Sequence, residues 1–191
     1  MKRFFDIVVS SSLLAILSPV MAATAIAVAI ESPGPIIYKQ ARVGKDGKNF
    51  TILKFRSMRS DSEKSGRAIW AQKNDCRITK VGEFIRSHRI DELPQLINVL
   101  RGEMSLIGPR PERPEIVETL EQEIPLYNKR ATVKPGITGL AQVRLPYGAS
   151  VNDAREKLVY DLEYIETWNM LLDFWITLLT VRVVLFRQGA R

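Results

Sequence analysis

Residues 7–30, IVVSSSLLAILSPVMAATAIAVAI, contain no charged side chain, and the reading of this stretch decides the architecture. A helix of ~20 apolar residues crosses a bilayer, so the stretch is long enough to do so. Ser18-Pro19 stands near its middle. Proline has no N–H and its ring meets the carbonyl one turn back, so a helix through Pro19 is expected to kink or break there. The Ser18 hydroxyl is then placed to serve the freed backbone. Lys2 and Arg3 precede the run, and Lys39, Arg42, Lys45 and Lys48 follow it. Basic flanks prefer the cytoplasmic side, and here both ends ask for that side. The pattern fits a re-entrant helix that enters the membrane, bends at Ser18-Pro19 and returns; a short kinked span satisfies most of the same signals. A secretory signal would share the basic start and the Ala27-Val28-Ala29 pattern, but its apolar region is only ~7–15 residues long.

The rest of the chain reads as a soluble domain with a charged surface. Its 191 residues, 46% of them hydrophobic, suffice for one compact domain besides the membrane segment. A formal charge of +7 suits an anionic partner: nucleic acid, an acidic lipid surface or a phosphorylated substrate. One cysteine, Cys76, excludes an internal disulfide, and with His88 the sole histidine there is no Cys/His zinc pattern. Any catalysis must rest on carboxylates and cations.

Ser32-Pro33-Gly34-Pro35 ends the membrane segment, because two prolines around a glycine favour a turn. Residues 36–39 and 50–55 read as strands of a hairpin joined through Gly44-Lys45-Asp46-Gly47. Residues 59–79 are polar and weakly periodic, a mobile loop or short helices carrying Arg59, Lys64, Arg67 and Lys73. Helices are expected over 81–86 and 93–100, the second ended by Gly102 with Pro94 in its first turn. Three prolines between Gly108 and Pro114 give a stiff extended loop, and a short acidic helix follows over 114–123. Residues 134–139, KPGITG, are a rigid turn. Asn152-Asp153 caps a helix to about Trp168, and an apolar segment runs from Leu171 to Phe186. Asp173 and Arg182 argue against a second span; with Trp168, Trp175 and Arg187 the segment suits a helix at headgroup level. The expected fold class is α/β of the α+β type, helix-rich with a small sheet. The division is a membrane helix over 1–31, a catalytic domain over 32–150 and interfacial helices over 151–191.

Asp91-Glu92 directly precede Leu93-Pro94, placing two carboxylates at a helix start where the dipole and free N–H groups favour the ionised form. Such an aspartate can act as a nucleophile, and adjacent carboxylates offer hard oxygens to Mg²⁺. On spacing alone, capping is the commoner role of such a pair. Lys54 and Arg56 share a strand face, and Arg110 is held between Pro109 and Pro111. Cations on rigid supports suit phosphates, which an arginine fork grips bidentately. A solvated basic face is the alternative for any one of Arg86, Arg89, Arg101 and Arg113 taken singly.

Lys54-Phe55-Arg56-Ser57-Met58, Asp91-Glu92-Leu93-Pro94-Gln95-Leu96 with Asn98-Val99-Leu100, Gly108-Pro109-Arg110-Pro111-Glu112 and Lys134-Pro135-Gly136-Ile137-Thr138-Gly139 together resemble the bacterial sugar transferase family, the monotopic phosphoglycosyl transferases. The similarity covers nearly the whole chain in order, including the Ser-Pro break. It implies a re-entrant N-terminal helix and a catalytic domain on the cytoplasmic face of the bacterial inner membrane. It implies transfer of a phosphosugar from a nucleotide sugar, usually a UDP-sugar, to undecaprenyl phosphate, with release of UMP. By motif, Asp91 would attack the β-phosphorus and Glu92 would position Mg²⁺ or the incoming group. Arg110, with Lys54, Arg56 and Arg86, would hold phosphate. Glycines 136 and 139 would shape the fold.

Two departures stand out. Arg89 replaces a small hydroxyl residue common two positions before the nucleophile, and Glu103 replaces an aspartate common after the glycine at 102. Many longer relatives carry further membrane helices and another domain before this module, so the chain is expected to be either a small-form enzyme or the catalytic half of a long one. A non-catalytic adaptor binding anionic lipid is a competing reading, at ~1 kcal/mol per suitably placed Lys or Arg. A nucleic-acid binder is disfavoured by the apolar run. The transferred sugar, the glycan pathway and any homo-oligomer are beyond the sequence.

Overall fold

The structure is a computed structural model that describes residues 1–59, 75–146, 148 and 150–186. It opens with α1, Lys2–Glu31, which continues through Pro19. Of the two outcomes expected at that proline, a break is not seen. The carbonyl that Pro19 leaves without a donor is that of Ala15, and Ser18 Oγ donates to it at 2.9 Å. The hydroxyl replaces the missing N–H, which lets the helix pass the proline. Among the described residues α1 is the one helix long and apolar enough to cross a bilayer.

The buried residues of α1 are Asp6, Ser10, Thr24 and Val28, two near each end. None between them is buried, and Ile16 and Val20 are exposed. Both ends are fastened to the same domain. At the start, Lys2 donates to Asp173 Oδ2 at 2.6 Å. At the finish, Val28 packs with Phe55 and Ile85, and Glu31 accepts from Val81 N at 3.1 Å.

Strands β1, Ile37–Val43, and β2, Asn49–Phe55, pair antiparallel with Ile37 opposite Phe55 and Val43 opposite Asn49. A 3-10 turn over Lys45–Gly47 joins them, with Asp46 and Gly47 at positive φ. After the segment that includes most of the expected polar loop, which lies outside the described residues, come α2, Lys80–Ser87, and α3, Gln95–Arg101. Gly102, at φ 83, closes α3 in the left-handed conformation that only glycine adopts freely.

The sequence missed a second sheet. Strand β3, Ser105–Ile107, runs parallel to β4, Gly136–Thr138, inside what reads as a rigid turn. Glycine makes the pairing feasible: a Cβ on Gly136 would lie 2.1 Å from Gly108 N, and one on Gly139 would lie 2.2 Å from Gly108 O. Helix α4 spans Pro114–Glu123, and α5, Leu140–Arg144, follows β4.

Helices α6, Val151–Thr167, and α7, Met170–Leu185, complete the fold. The cap of α6 is Ser150 rather than Asn152-Asp153: Ser150 Oγ accepts from Asp153 N and the Asp153 carboxylate accepts from Ser150 N, a reciprocal capping box. One core cluster joins Ile107, Leu140, Tyr164 and Ile176, and a second joins Leu120, Ile124, Tyr127 and Leu158. The described residues are thus helix-rich, as expected, with two small two-stranded sheets where one was expected.

Candidate active site

Asp91 and Glu92 lie in a 3-10 turn, Ile90–Glu92, entered from Arg89 in the left-handed region at φ 58. Both side chains are buried, each residue about 8% exposed. Their surroundings then separate them. Glu92 Oε1 accepts from Lys54 Nζ at 2.9 Å and from Arg110 Nη2, while Oε2 accepts from Arg110 Nη1 at 3.4 Å. The Asp91 carboxylate takes part in no hydrogen bond among the described residues.

The electrostatics follow. Burial pushes the Asp91 carboxyl up to about 6, and the Glu92 charge beside it adds to that push, against Lys54, Arg86 and Arg110. Burial would raise Glu92 too, but Arg110 and Lys54 overcome it and hold that carboxyl well below the usual range. The expectation that a helix start would favour ionised Asp91 is corrected here. Helix α3 begins only at Gln95, with Pro94 as its cap, and the dipole's influence falls off within a turn, so burial wins. The pair divides into a permanently charged Glu92 and an Asp91 poised near neutrality, the pattern of environments that gives two carboxyls two roles.

Arg110 owes its position to its main chain. Four successive carbonyls of the proline-rich loop are each occupied: Pro109 O by Gly136 N at 2.9 Å, Arg110 O by Arg130 Nη2 at 2.8 Å, Pro111 O by Arg42 Nη1 at 3.2 Å, and Glu112 O by Val43 N at 3.0 Å. Arg130 is itself held by Asp161 Oδ2 at 2.7 Å. A loop fixed carbonyl by carbonyl presents its guanidinium without reorganisation, which is what stabilisation of developing phosphoryl charge requires. Arg42 and Arg130 escaped the sequence reading, in which Arg42 was a basic flank of the membrane segment. The hint was present: a loop with prolines has carbonyls to satisfy and fewer neighbouring N–H groups to do it.

The structure therefore brings Asp91, Glu92, Lys54 and Arg110 together, with Arg86 lining the same cleft close enough to act on Asp91. Arg56 borders that cleft as well, but its guanidinium is engaged at the end of α1. That side chain is buried and its guanidinium donates to Pro33 O at 3.1 Å and Ser32 O at 2.5 Å, closing the end of α1. Arg56 thus caps the end of α1, and these bonds engage the guanidinium that the sequence offered for phosphate beside Lys54. The cleft, about 1190 Å³, reaches from the carboxylates to Phe5, Val9 and Leu13 of α1, so a polar end and an apolar end share one space.

A divalent cation would find hard oxygen donors in Asp91 and Glu92. No group of three Asp, Glu, His or Cys side chains gathers among the described residues. Asp91 and Glu92 could offer such an ion one or two carboxylates, the number Mg²⁺ commonly takes from protein where substrate phosphate and water complete its shell.

The arrangement has counterparts. The family model described as bacterial sugar transferase matches residues 1–187. A UDP-N-acetylgalactosamine-undecaprenyl-phosphate N-acetylgalactosaminephosphotransferase of Aeromonas hydrophila is 48% identical over 190 residues, covering 100% of this chain and 45% of that protein. A UDP-glucose:undecaprenyl-phosphate glucose-1-phosphate transferase of Caulobacter vibrioides is 42% identical over 191 residues, 99% of this chain and 71% of that protein. A putative undecaprenyl-phosphate N-acetylgalactosaminyl 1-phosphate transferase of Bacillus subtilis is 52% identical over 148 residues, 78% of each. The chain spans less than half the length of several curated relatives it matches, among them those of Aeromonas hydrophila and Klebsiella pneumoniae. A match that runs from the first turn of α1 to the end of α7 leaves one assignment: this chain belongs to the bacterial sugar transferase family.

Proposed function

We propose that this chain transfers a phosphosugar from a UDP-sugar to undecaprenyl phosphate, through a covalent intermediate on Asp91, and so initiates a surface glycan. The observation that carries this reading is the split pair: Glu92 clamped by Lys54 and Arg110, beside an Asp91 carboxylate left unengaged in a cleft that opens onto apolar α1. The relatives' names supply the donor and acceptor classes.

In the first step an Asp91 oxygen attacks the donor's β-phosphorus. The bond to the bridging oxygen breaks, UMP leaves with that electron pair, and the phosphosugar remains on Asp91 as an acyl phosphate, a mixed anhydride. In the second, an oxygen of undecaprenyl phosphate attacks the same phosphorus and the carboxylate departs, giving the diphosphate-linked sugar. Arg110 and Lys54 offset charge on the phosphoryl oxygens, and Arg86 adds positive potential beside Asp91. Bound Mg²⁺ would supply Lewis-acid neutralisation of the diphosphate. Dividing the reaction lets one site at the lipid boundary meet a water-soluble donor and a lipid acceptor in turn.

We place the domain on the cytoplasmic leaflet with α1 re-entrant. Support comes from its two ends, both fastened to the same folded domain while the middle stays unburied. A lipid-binding adaptor would need no buried carboxylate pair flanked by cations.

The test is incubation of the full chain with radiolabelled UDP-sugars, with and without undecaprenyl phosphate. UMP release and a labelled protein band are expected from wild type, and neither from Asp91→Asn. Normal UMP release by that variant would refute the mechanism.

A further inference from the structure

Asp6 stands one residue before the uncharged run, where an acidic side chain works against the basic flank and does nothing for membrane anchoring. It is nevertheless buried, about 2% exposed, on the first turns of α1. Its Oδ1 accepts from Ser105 Oγ and from Leu106 N, each at 3.0 Å. Strand β3 pairs with β4 on one side, with Ser105 N donating to Pro135 O at 2.8 Å. Successive N–H groups of a strand alternate between its edges, so the next one, Leu106 N–H, leaves on the edge away from that bond, where it meets Asp6. There the Asp6 carboxylate takes the place of a neighbouring strand.

Strand β3 leads directly into Gly108-Pro109-Arg110. Its last carbonyl, Ile107 O, accepts from Tyr164 OH at 3.2 Å, and Tyr164 in turn accepts from Lys2 Nζ at 3.0 Å. On the same turn of α1, Arg3 donates to the carbonyls of Val99 and of Leu100, the latter at 2.7 Å, at the C-terminal end of α3. The other end of α3 adjoins Asp91 and Glu92. The first turns of α1 thus fasten both the helix that follows the carboxylates and the strand that leads to Arg110.

We infer that Asp6 is a positioning residue for the transfer reaction: by holding the free edge of β3 it sets Arg110 against the Asp91-Glu92 pair, so that seating of the membrane helix and assembly of the active site are one event. The inference rests on the proposed transferase activity for its kinetic consequence alone. Topology would be served by Lys2 and Arg3 without Asp6, whereas β3 would lose the acceptor for Leu106 N.

The experiment compares wild type, Asp6→Ala and Asp6→Asn as full chains in liposomes, with UDP-glucose and UDP-N-acetylgalactosamine as donor probes. Asp6→Ala is expected to keep its membrane-bound fraction within about twofold of wild type, while kcat/KM for UMP release falls at least ~10-fold. Asp6→Asn retains an oxygen acceptor and is expected to recover to within ~3-fold. Amide hydrogen exchange should accelerate at Leu106 and across 108–112 in Asp6→Ala, and not in the β1–β2 hairpin. If Asp6→Ala does not accumulate, Ser105→Ala removes one of the two bonds and is expected to show the same pattern at ~2–5-fold. Wild-type kcat/KM in Asp6→Ala, or a loss that tracks membrane-bound protein and is not restored by Asn, overturns the inference. Should wild type itself release no UMP from either donor, the transferase reading falls, and the exchange at Leu106 and 108–112 still decides whether Asp6 holds β3.

Discussion

At the scale of single residues, the site works by unequal treatment of neighbours. Asp91 and Glu92 are adjacent in sequence and equally buried, yet two cations converge on one and leave the other. The consequence for stability can be measured in metal-free protein, where the groups facing Asp91 are Glu92, Lys54, Arg86 and Arg110. A carboxyl whose folded-state value rises from 3.8 to about 6 contributes its full stability below the unfolded value and loses it as pH climbs through 6. Asparagine does not ionise. In EDTA, Asp91→Asn is therefore expected to match wild type near pH 4 and to exceed it at pH 8 by on the order of 2–3 kcal/mol, read from denaturant unfolding. A wild type more stable than the variant at pH 8 would mean the cations, not burial, dominate at Asp91. The carboxylates, Lys54 and Arg110 were all legible from type and position. The departure of Arg56 was not, because alternation along a strand says which face a side chain shares and nothing about what that face meets.

Among elements, α3 and β2 show how a helix and a strand are joined across the site. Asn98, wholly buried, accepts from Leu53 N at 3.0 Å and donates to Thr51 O at 2.8 Å, which ties the helix beside the carboxylates to the strand carrying Lys54. Replacing Asn98 with alanine removes the acceptor of the buried Leu53 N–H and a donor to Thr51 O. Asn98→Ala is expected to lose ~2–4 kcal/mol and about 5–10 °C in melting temperature, seen by calorimetry in detergent. An unchanged melting temperature would show that water replaces the amide. The hairpin, α4 and the long helices could be read from the sequence because their turn residues and periodicities are local. Strands β3 and β4 could not: three residues each, paired in parallel across a separation of some thirty positions, they leave only glycines as a trace. For α1 the open question is where its ends lie, and with Cys76 the sole cysteine a Cys76→Ser background makes single reporters simple. Cysteines placed at Met1 and at Gly34 are both expected to react with an impermeant maleimide in inside-out vesicles and neither in right-side-out vesicles. Labelling of the two from opposite sides would establish a span.

Across the whole molecule, most of the exposed large apolar side chains among the described residues lie on two helices, α1 and α7. Besides α1, helix α7 turns Leu171, Phe174, Trp175 and Leu178 outward, at the spacing that lines one helical face. Asp173 lies on the opposite side, buried, where it accepts from Tyr164 OH at 2.8 Å and Trp168 Nε1 at 3.0 Å besides Lys2. The charge that argued against a second span is thus the knot joining α1, α6 and α7, and it fixes the start of α7 to the first turn of α1. An interfacial α7 would turn this face to the headgroups, beside Arg144 at 4.9 Å from the Trp175 ring. Each apolar side chain withdrawn from water there is worth ~1.5–3 kcal/mol at full burial and less at a partly polar boundary. Substituting both Leu171 and Phe174 with glutamate should leave Asp173 and the site untouched, because neither side chain packs inward. The double variant is expected to remain attached through α1 but to show Trp175 and Trp168 fluorescence shifted to the red in anionic liposomes. Its UMP release with donor alone should stay within about twofold of wild type, and transfer to undecaprenyl phosphate should fall at least ~5-fold, since only the second step needs the domain seated on lipid. Equal loss in both steps would place α7 in the fold rather than on the membrane, and no loss in either would leave α1 as the sole contact that matters.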